Sequence, residues 1–204
     1  MKGTIGPGAS LFELQLPTQV WTQRYLQAGC GGLCGNLSVN APMASTCVPV
    51  TNRQIAMAAT DMGHEGGHDG SWALNARAKV DFAYRGEHAT ARVAKAIINK
   101  FYARPAKYSY IDGSSDGARE ALMEAQRLPD DFDGIAAGAP ANDLIVQTTL
   151  PHAWPAVINV DPKTGKYILL GRAKSRPSPT VHQIAGRIST NSIFTIVIAG
   201  KIIA

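Results

Sequence analysis

Apolar residues along this chain change their spacing several times, and each change marks an element. Trp21, Tyr25, Leu26 and Ala28 mark a strand over residues 21–28 that ends at Gly29. Ile55 to Ala59 form a nearly continuous apolar run within 54–60, the pattern of a strand covered on both faces. Over 86–102 the spacing becomes helical. Val93, Ala94, Ile97, Ile98 and Phe101 fall on one side, Arg92, Lys95, Asn99 and Lys100 elsewhere, and Arg104-Pro105 ends the helix. Tyr108-Ser109-Tyr110-Ile111 predicts another strand. Good helix formers over 118–128 predict a helix stopped by Pro129, and Gly134-Ile135-Ala136-Ala137 reads as one more short strand. Such alternation specifies an α/β fold: a mainly parallel sheet flanked by helices.

Two glycine-rich turns interrupt this pattern where chemistry is expected. Gly113-Ser114-Ser115-Asp116-Gly117 joins a strand to a helix, the setting in which a G-x-S-x-G turn lifts its middle serine clear of the sheet at a helix N-terminus. Ser115 is therefore the candidate nucleophile; outside that setting the same five residues would be an ordinary turn. Gly29-Cys30-Gly31-Gly32-Leu33-Cys34-Gly35 has four glycines in seven residues, which frees the backbone to aim N–H groups at a ligand. The bland alternative, a flexible linker, fits poorly between two buried strands.

Composition narrows the function. The 204 residues suit one domain, and 45% hydrophobic with 17% charged residues is globular. The net charge of +5 is misleading. Seven of the 20 basic residues (Lys163, Lys166, Arg172, Lys174, Arg176, Arg187 and Lys201) follow Asp161, leaving 13 against all 15 acidic ones in residues 1–161. The basic character belongs to the tail, and no aromatic residue interleaves with Arg172, Lys174 and Arg176 to stack bases, so nucleic acid is not an expected partner. Residues 193–204 are apolar but too few to span a bilayer, and no secretory signal follows Met1-Lys2. The three cysteines Cys30, Cys34 and Cys47 allow at most one internal disulfide; three buried thiols are the alternative.

His64-Glu65-Gly66-Gly67-His68 matches H-E-x-x-H, which binds zinc when both histidines lie one helical turn apart. Gly63, Gly66, Gly67 and Gly70 oppose a helix there, each costing about 1 kcal/mol relative to alanine. The segment therefore reads as a loop at the rim of a site, with a zinc hydrolase as the weaker alternative. His88, at the start of the 86–102 helix, reads as a packing or capping residue.

Several longer motifs together carry a family resemblance: residues 25–35, Ala59-Thr60-Asp61-Met62-Gly63-His64, Asp81-Phe82-Ala83-Tyr84-Arg85, residues 119–127, and 132–135 through Gly138-Ala139-Pro140-Ala141. Over about residues 10–170 the chain resembles the tannase and feruloyl esterase family. The resemblance implies an α/β-hydrolase fold that hydrolyses esters of aromatic acids such as gallate and ferulate. It implies Ser115 as nucleophile, and an oxyanion hole made by the N–H of Asp116 with one from Gly31 or Gly32. It makes 64–68 a loop of the site without metal.

The departures from that family are equally specific. The position before the serine, normally cysteine, is Ser114, and a second glycine after the elbow is replaced by Ala118. The family's catalytic aspartate and histidine follow a large lid that often holds calcium, and neither lid nor later strands correspond to anything in this sequence. The expectation is a partial α/β-hydrolase fold over 1–170, with no cofactor, followed over 171–204 by an atypical tail read as out of frame or without a fixed fold. Asp143 or Asp161 with His152 or His182 satisfy the order of a triad only on paper. Without its base the serine is a poor nucleophile, so the alternative to an impaired esterase is a remnant that at most binds aromatic esters. A secreted or periplasmic location is implied by the resemblance alone.

Overall fold

The computed structural model describes residues 1–66, 70–148 and 153–168. They fall into two units, one over Met1–Asn142 and one beginning at Asp143. The first holds a six-stranded sheet of β1 (Lys2–Ile5), β2 (Ser10–Gln15), β3 (Arg24–Ala28), β4 (Ala56–Thr60), β5 (Tyr108–Ser114) and β6 (Gly134–Gly138) in the order β1-β2-β4-β3-β5-β6. The pairs β4-β3, β3-β5 and β5-β6 are parallel, as expected, whereas β1-β2 and β2-β4 are antiparallel.

The antiparallel hairpin is an addition to the expected strands. In β2 the side chains of Ser10, Phe12 and Leu14 are buried and those of Leu11, Glu13 and Gln15 are not, an alternation of period two. Trp21 lies outside β3; it stacks on Tyr102 with ring centroids 3.8 Å apart and donates Nε1–H to the Arg24 carbonyl at 2.9 Å.

The helices of this unit are α1 (Val48–Thr51), α2 (Ala76–Val80), α3 (Gly86–Tyr102) and α4 (Asp116–Arg127), with a wider π-type turn over Asp81–Arg85 between α2 and α3. α3 and α4 pack on one face of the sheet. Ala91, Ala94 and Ile98 of α3 and Ala118 and Ala121 of α4 meet Leu14, Tyr25, Ala58 and Ile111 in the main core. Full burial of a side chain such as Ile111 or Leu14 contributes about 1.5–3 kcal/mol. On the other face Leu26, Ala41 and Ile55 form a smaller cluster covered by Ala44 and Val50.

One detail of α3 differs from the expectation. Phe101 is exposed, and the buried stripe begins instead with Gly86, Glu87 and Thr90. The first turn of this helix faces the sheet through a polar contact, in which the Gln27 amide of β3 donates to the Glu87 carbonyl and carboxyl oxygens. His88 contacts Asp131 through Nδ1, a packing role near the helix start.

In the second unit, α5 (Leu144–Thr148) and α6 (Trp154–Ile158) are single turns, and Val160 and Tyr167 form an isolated antiparallel bridge. No described helix is long and apolar enough to cross a membrane. The expected boundary at 170 and the tail after it lie outside the described residues, as do its basic residues from Arg172 onward.

Candidate active site

Ser115 stands alone between β5, which ends at Ser114, and α4, which starts at Asp116. Its backbone has φ 59° and ψ −115°, a conformation that costs a non-glycine residue about 1–3 kcal/mol and persists only where the surroundings impose it. Here they do. Ser115 N–H donates to the Gly138 carbonyl at 3.1 Å, and its own carbonyl accepts from Ala141 N at 3.0 Å and Arg119 N at 3.2 Å. The side chain is exposed.

Close backbone contact makes this turn possible. A Cβ on Gly113 would lie 2.1 Å from Gly117 C, one on Gly117 would lie 2.7 Å from the Cys30 carbonyl oxygen, and one on Gly29 would lie 2.7 Å from Gly117 Cα. Three glycines thus bring the end of β5, the first turn of α4 and the loop after β3 together. Ala118, where the family resemblance calls for another glycine, fits: it is fully buried in the main core.

The loop after β3 is tied down at several points. Gly29 N–H donates to the Asp112 carbonyl at 2.8 Å, Cys30 N–H to Glu120 Oε2 at 3.0 Å, and Gly35 N–H to the Asp61 carbonyl at 3.1 Å. Cys30 and Cys34 are disulfide-bonded, with Cα atoms 5.2 Å apart, while Cys47 is exposed and free. Gly31 and Gly32 form the exposed tip, and among the described residues their N–H groups donate to no protein acceptor. The Asp116 N–H, first in its helix, has no preceding turn to donate to.

Beneath the elbow lies a charged layer that the sequence reading did not identify as part of the site. Asp116, Glu120 and Glu124 fall at i, i+4 and i+8 on α4 and are all buried. Arg119 donates Nε–H to Asp116 Oδ1 at 2.6 Å and an Nη2 hydrogen to Oδ2 at 2.9 Å. Glu87 at the start of α3 receives the Gln27 amide, and Tyr25 O–H donates to Gln27 Oε1. Burial pushes the Glu87 carboxyl up to about 7. It pushes Glu124 up to about 9, helped by the charges of Glu87 and Asp131. Burial, then the neighbouring Glu87 and Asp116, raises Glu120 well above the ordinary range. Asp112 is raised by burial as well; its oxygens accept from Met43 N at 3.2 Å and Ala44 N at 2.8 Å, fixing the turn over Pro42–Ala44. The three acids at helical spacing beside Gly117 and Ala121 were a readable signal, because a stripe of small residues is one that packs.

Cys30, Cys34, Asp116 and Glu120 offer ligand atoms within 4.8 Å of one another, the one such group among the described residues. Its sulfurs are joined to each other, and sulfur is a poor donor for the hard calcium ion that the resemblance assigns to the lid. These residues therefore do not fit that ion.

The H-E-x-x-H segment is a loop over its described part, residues 64–66, without the helical turn that zinc ligation needs; Gly67 and His68 lie outside the described residues. His64 is buried, stacks on Trp72 with centroids 3.9 Å apart, and donates Nε2–H to the Leu33 carbonyl at 2.7 Å. It braces the glycine loop. Neither His64 nor His88 is hydrogen-bonded to Ser115. Asp143 and Asp161 serve local turns, accepting from Val146 N at 3.3 Å and Lys163 N at 2.8 Å, and His152 and His182 lie outside the described residues.

A strained serine between a parallel strand and a helix, facing a glycine loop, defines an α/β-hydrolase-type arrangement. The chain belongs to the tannase and feruloyl esterase family, whose model it matches over residues 7–175. It is 31% identical over 166 residues to a mono(2-hydroxyethyl) terephthalate hydrolase of Piscinibacter sakaiensis, covering 74% of this chain and 27% of that protein. It is 38% identical over 133 residues to a probable feruloyl esterase B-1 of Aspergillus fumigatus, covering 65% of this chain and 24% of that protein. The crystal structure of feruloyl esterase B from Aspergillus oryzae superimposes with a TM-score of 0.66 at 32% identity, over 76% of this chain and 30% of the other. The chain spans about a quarter of the length of the curated relatives it matches.

Proposed function

We propose that the chain carries the nucleophile and oxyanion-hole part of a serine carboxylic ester hydrolase acting on esters of aromatic acids. The observation that carries this reading is the exposed Ser115, held at φ 59° between β5 and α4. Its Oγ attacks the ester carbonyl, and the oxygen that becomes negative is received by the N–H of Asp116 and an N–H of the Gly31-Gly32 tip. The chemistry needs no metal or cofactor. An aromatic ester is the partner, and the family kinship with proteins named for feruloyl and terephthalate esters supports that class. The Cys30–Cys34 disulfide supports a secreted or periplasmic location.

With no described histidine bonded to Ser115, hydrolysis by the chain as given is expected to be about 10⁴- to 10⁶-fold below that of a complete triad. The test is release of 4-nitrophenol from an activated aromatic ester, together with covalent labelling by a fluorophosphonate. Ser115→Ala should abolish both signals. Turnover and labelling that survive Ser115→Ala would refute the assignment.

A further inference from the structure

The disulfide of the glycine loop sits on an acid. Glu120 is fully buried, and its Oε1 lies 3.0 Å from Cys30 Sγ and 3.1 Å from Cys34 Sγ, while Oε2 accepts from Cys30 N. A disulfide that only staples a loop has no use for a carboxyl group, and burying an ionised one against it is costly. The ring it closes holds only five residues, at the short end where cross-linking restrains an unfolded chain least. Its two sulfurs differ in access: Cys34 is buried, whereas Cys30 is partly exposed beside the open tip at Gly31 and Gly32.

We propose that Cys30 and Cys34 form a thiol–disulfide exchange site for small thiols, with Glu120 as its proton donor. A thiolate attacks the accessible Cys30 sulfur. The S–S bond breaks, its electron pair goes to Cys34, and the Glu120 carboxyl protonates the departing Cys34 thiolate. A second thiolate then attacks the outer sulfur of the mixed disulfide. Cys30 leaves as thiolate and is protonated by solvent, as is Glu120, and the reductant departs as its own disulfide. Two electrons pass from two thiols to the protein, and two protons enter from solvent. The groups facing Glu120 are Glu87 from α3, Asp116 and Arg119 from α4, and the Cys30 N–H. Two of them, Glu87 and Asp116, are acids, and together with burial they hold the Glu120 carboxyl in its protonated form, ready to donate. Because the exchanging pair brackets Gly31 and Gly32, its state sets how tightly that tip is held.

The experiment uses the full chain carrying Cys47→Ser, so that Cys30 and Cys34 are the only thiols. The folded protein is incubated with glutathione from pH 6 to pH 9, quenched in acid, alkylated and counted by mass. Two thiols are expected to appear without loss of the far-ultraviolet circular dichroism signal. The rate per glutathione thiolate should fall as pH rises and Glu120 loses its proton. Glu120→Gln should slow release about tenfold or more in the folded protein and flatten that profile, with equal rates for both proteins in guanidinium. Should the variant not fold, the pH profile of the parent chain decides alone. A pair that resists glutathione until the chain unfolds, or a parent profile that only follows thiolate concentration, would overturn the proposal. Neither readout depends on ester hydrolysis, so the outcome is independent of the role given to Ser115.

Discussion

The two sides of the elbow at Ser115 are held by opposite means. On one side Gly29, Gly113 and Gly117 bring backbone against backbone at distances no side chain tolerates. At Gly113 and Gly117 this contact is backbone alone, and the Glu120 carboxyl joins it only at Gly29. On the other side Asp116, Glu120 and Glu87 share the Arg119 guanidinium, and Glu124 lies within the field of Lys95, in a layer with almost no solvent. That layer responds to protons. The first kind of constraint fixes where the serine stands; the second decides under what conditions the structure around it is stable.

The largest effect is expected where the steric side is broken. A methyl group at Gly113 would fall 2.1 Å from the carbon and oxygen of Gly117, both backbone atoms at the start of α4, so nothing flexible can give way. Gly113→Ala forces β5 and α4 apart and takes the strained serine with them. Overpacking a well-packed core costs about 1–3 kcal/mol even where side chains can adjust, and here none can. The expected outcome is loss of soluble folded protein, read from yield and circular dichroism. A soluble variant with unchanged urea midpoint would mean that the glycine contact is looser than its distances state.

This same contrast explains what could be read from the chain in advance. The parallel strands and long helices were legible because apolar spacing reports burial directly, as in the run Ile55 to Ala59 and the segment around Ala94 and Ile98. The elbow was legible because a steric requirement selects glycine, and glycine is visible in a sequence. The hairpin of β1 and β2 was passed over although Ser10, Phe12 and Leu14 alternate, since Ser10 is buried by a hydrogen bond to Asp81 and so does not look apolar. The acid layer was passed over for a related reason. Glu87, Glu120 and Glu124 resemble surface residues of a helix, and in the sequence only the small residues beside the α4 acids point to their being inside. The exposure of Phe101 was not legible because the first turn of α3 is engaged by a polar contact, Gln27 to Glu87, which apolar spacing does not report.

Breaking the electrostatic side at the guanidinium that pairs with Asp116 should rank second. Arg119 is bidentate to Asp116, donates to the Phe82 carbonyl at 3.1 Å, and lies over the Phe82 ring at 4.4 Å. Arg119→Ala leaves Asp116 buried and uncompensated, a loss of about 3–5 kcal/mol. The urea midpoint should drop accordingly at neutral pH. Since Asp116 opens α4 beside the serine, labelling of Ser115 by a fluorophosphonate should fall even in molecules that remain folded. A normal midpoint would show that another group neutralises Asp116.

The smallest change sharpens the comparison by removing charge without removing volume. Glu124 has an ordinary value near 4.5 when unfolded and about 9 when folded, because burial, and then Glu87 and Asp131, disfavour its ionised form. The folded chain therefore holds this proton more tightly than the unfolded chain, and its stability falls as pH rises from about 4.5 towards 9. Glu87 acts in the same direction up to about 7. Glu124→Gln cannot ionise and escapes its share of that loss. At pH 5 parent and variant should have nearly the same Tm. At pH 8 the variant should be the more stable by roughly 1 kcal/mol or more, about 2–4 °C for a chain of this size. Gly113→Ala should show no such pH dependence, because a Cβ there meets only backbone atoms of Gly117 and Ala118. Equal Tm differences between parent and Glu124→Gln at the two pH values would show that the layer beneath Ser115 is wetter than its packing states.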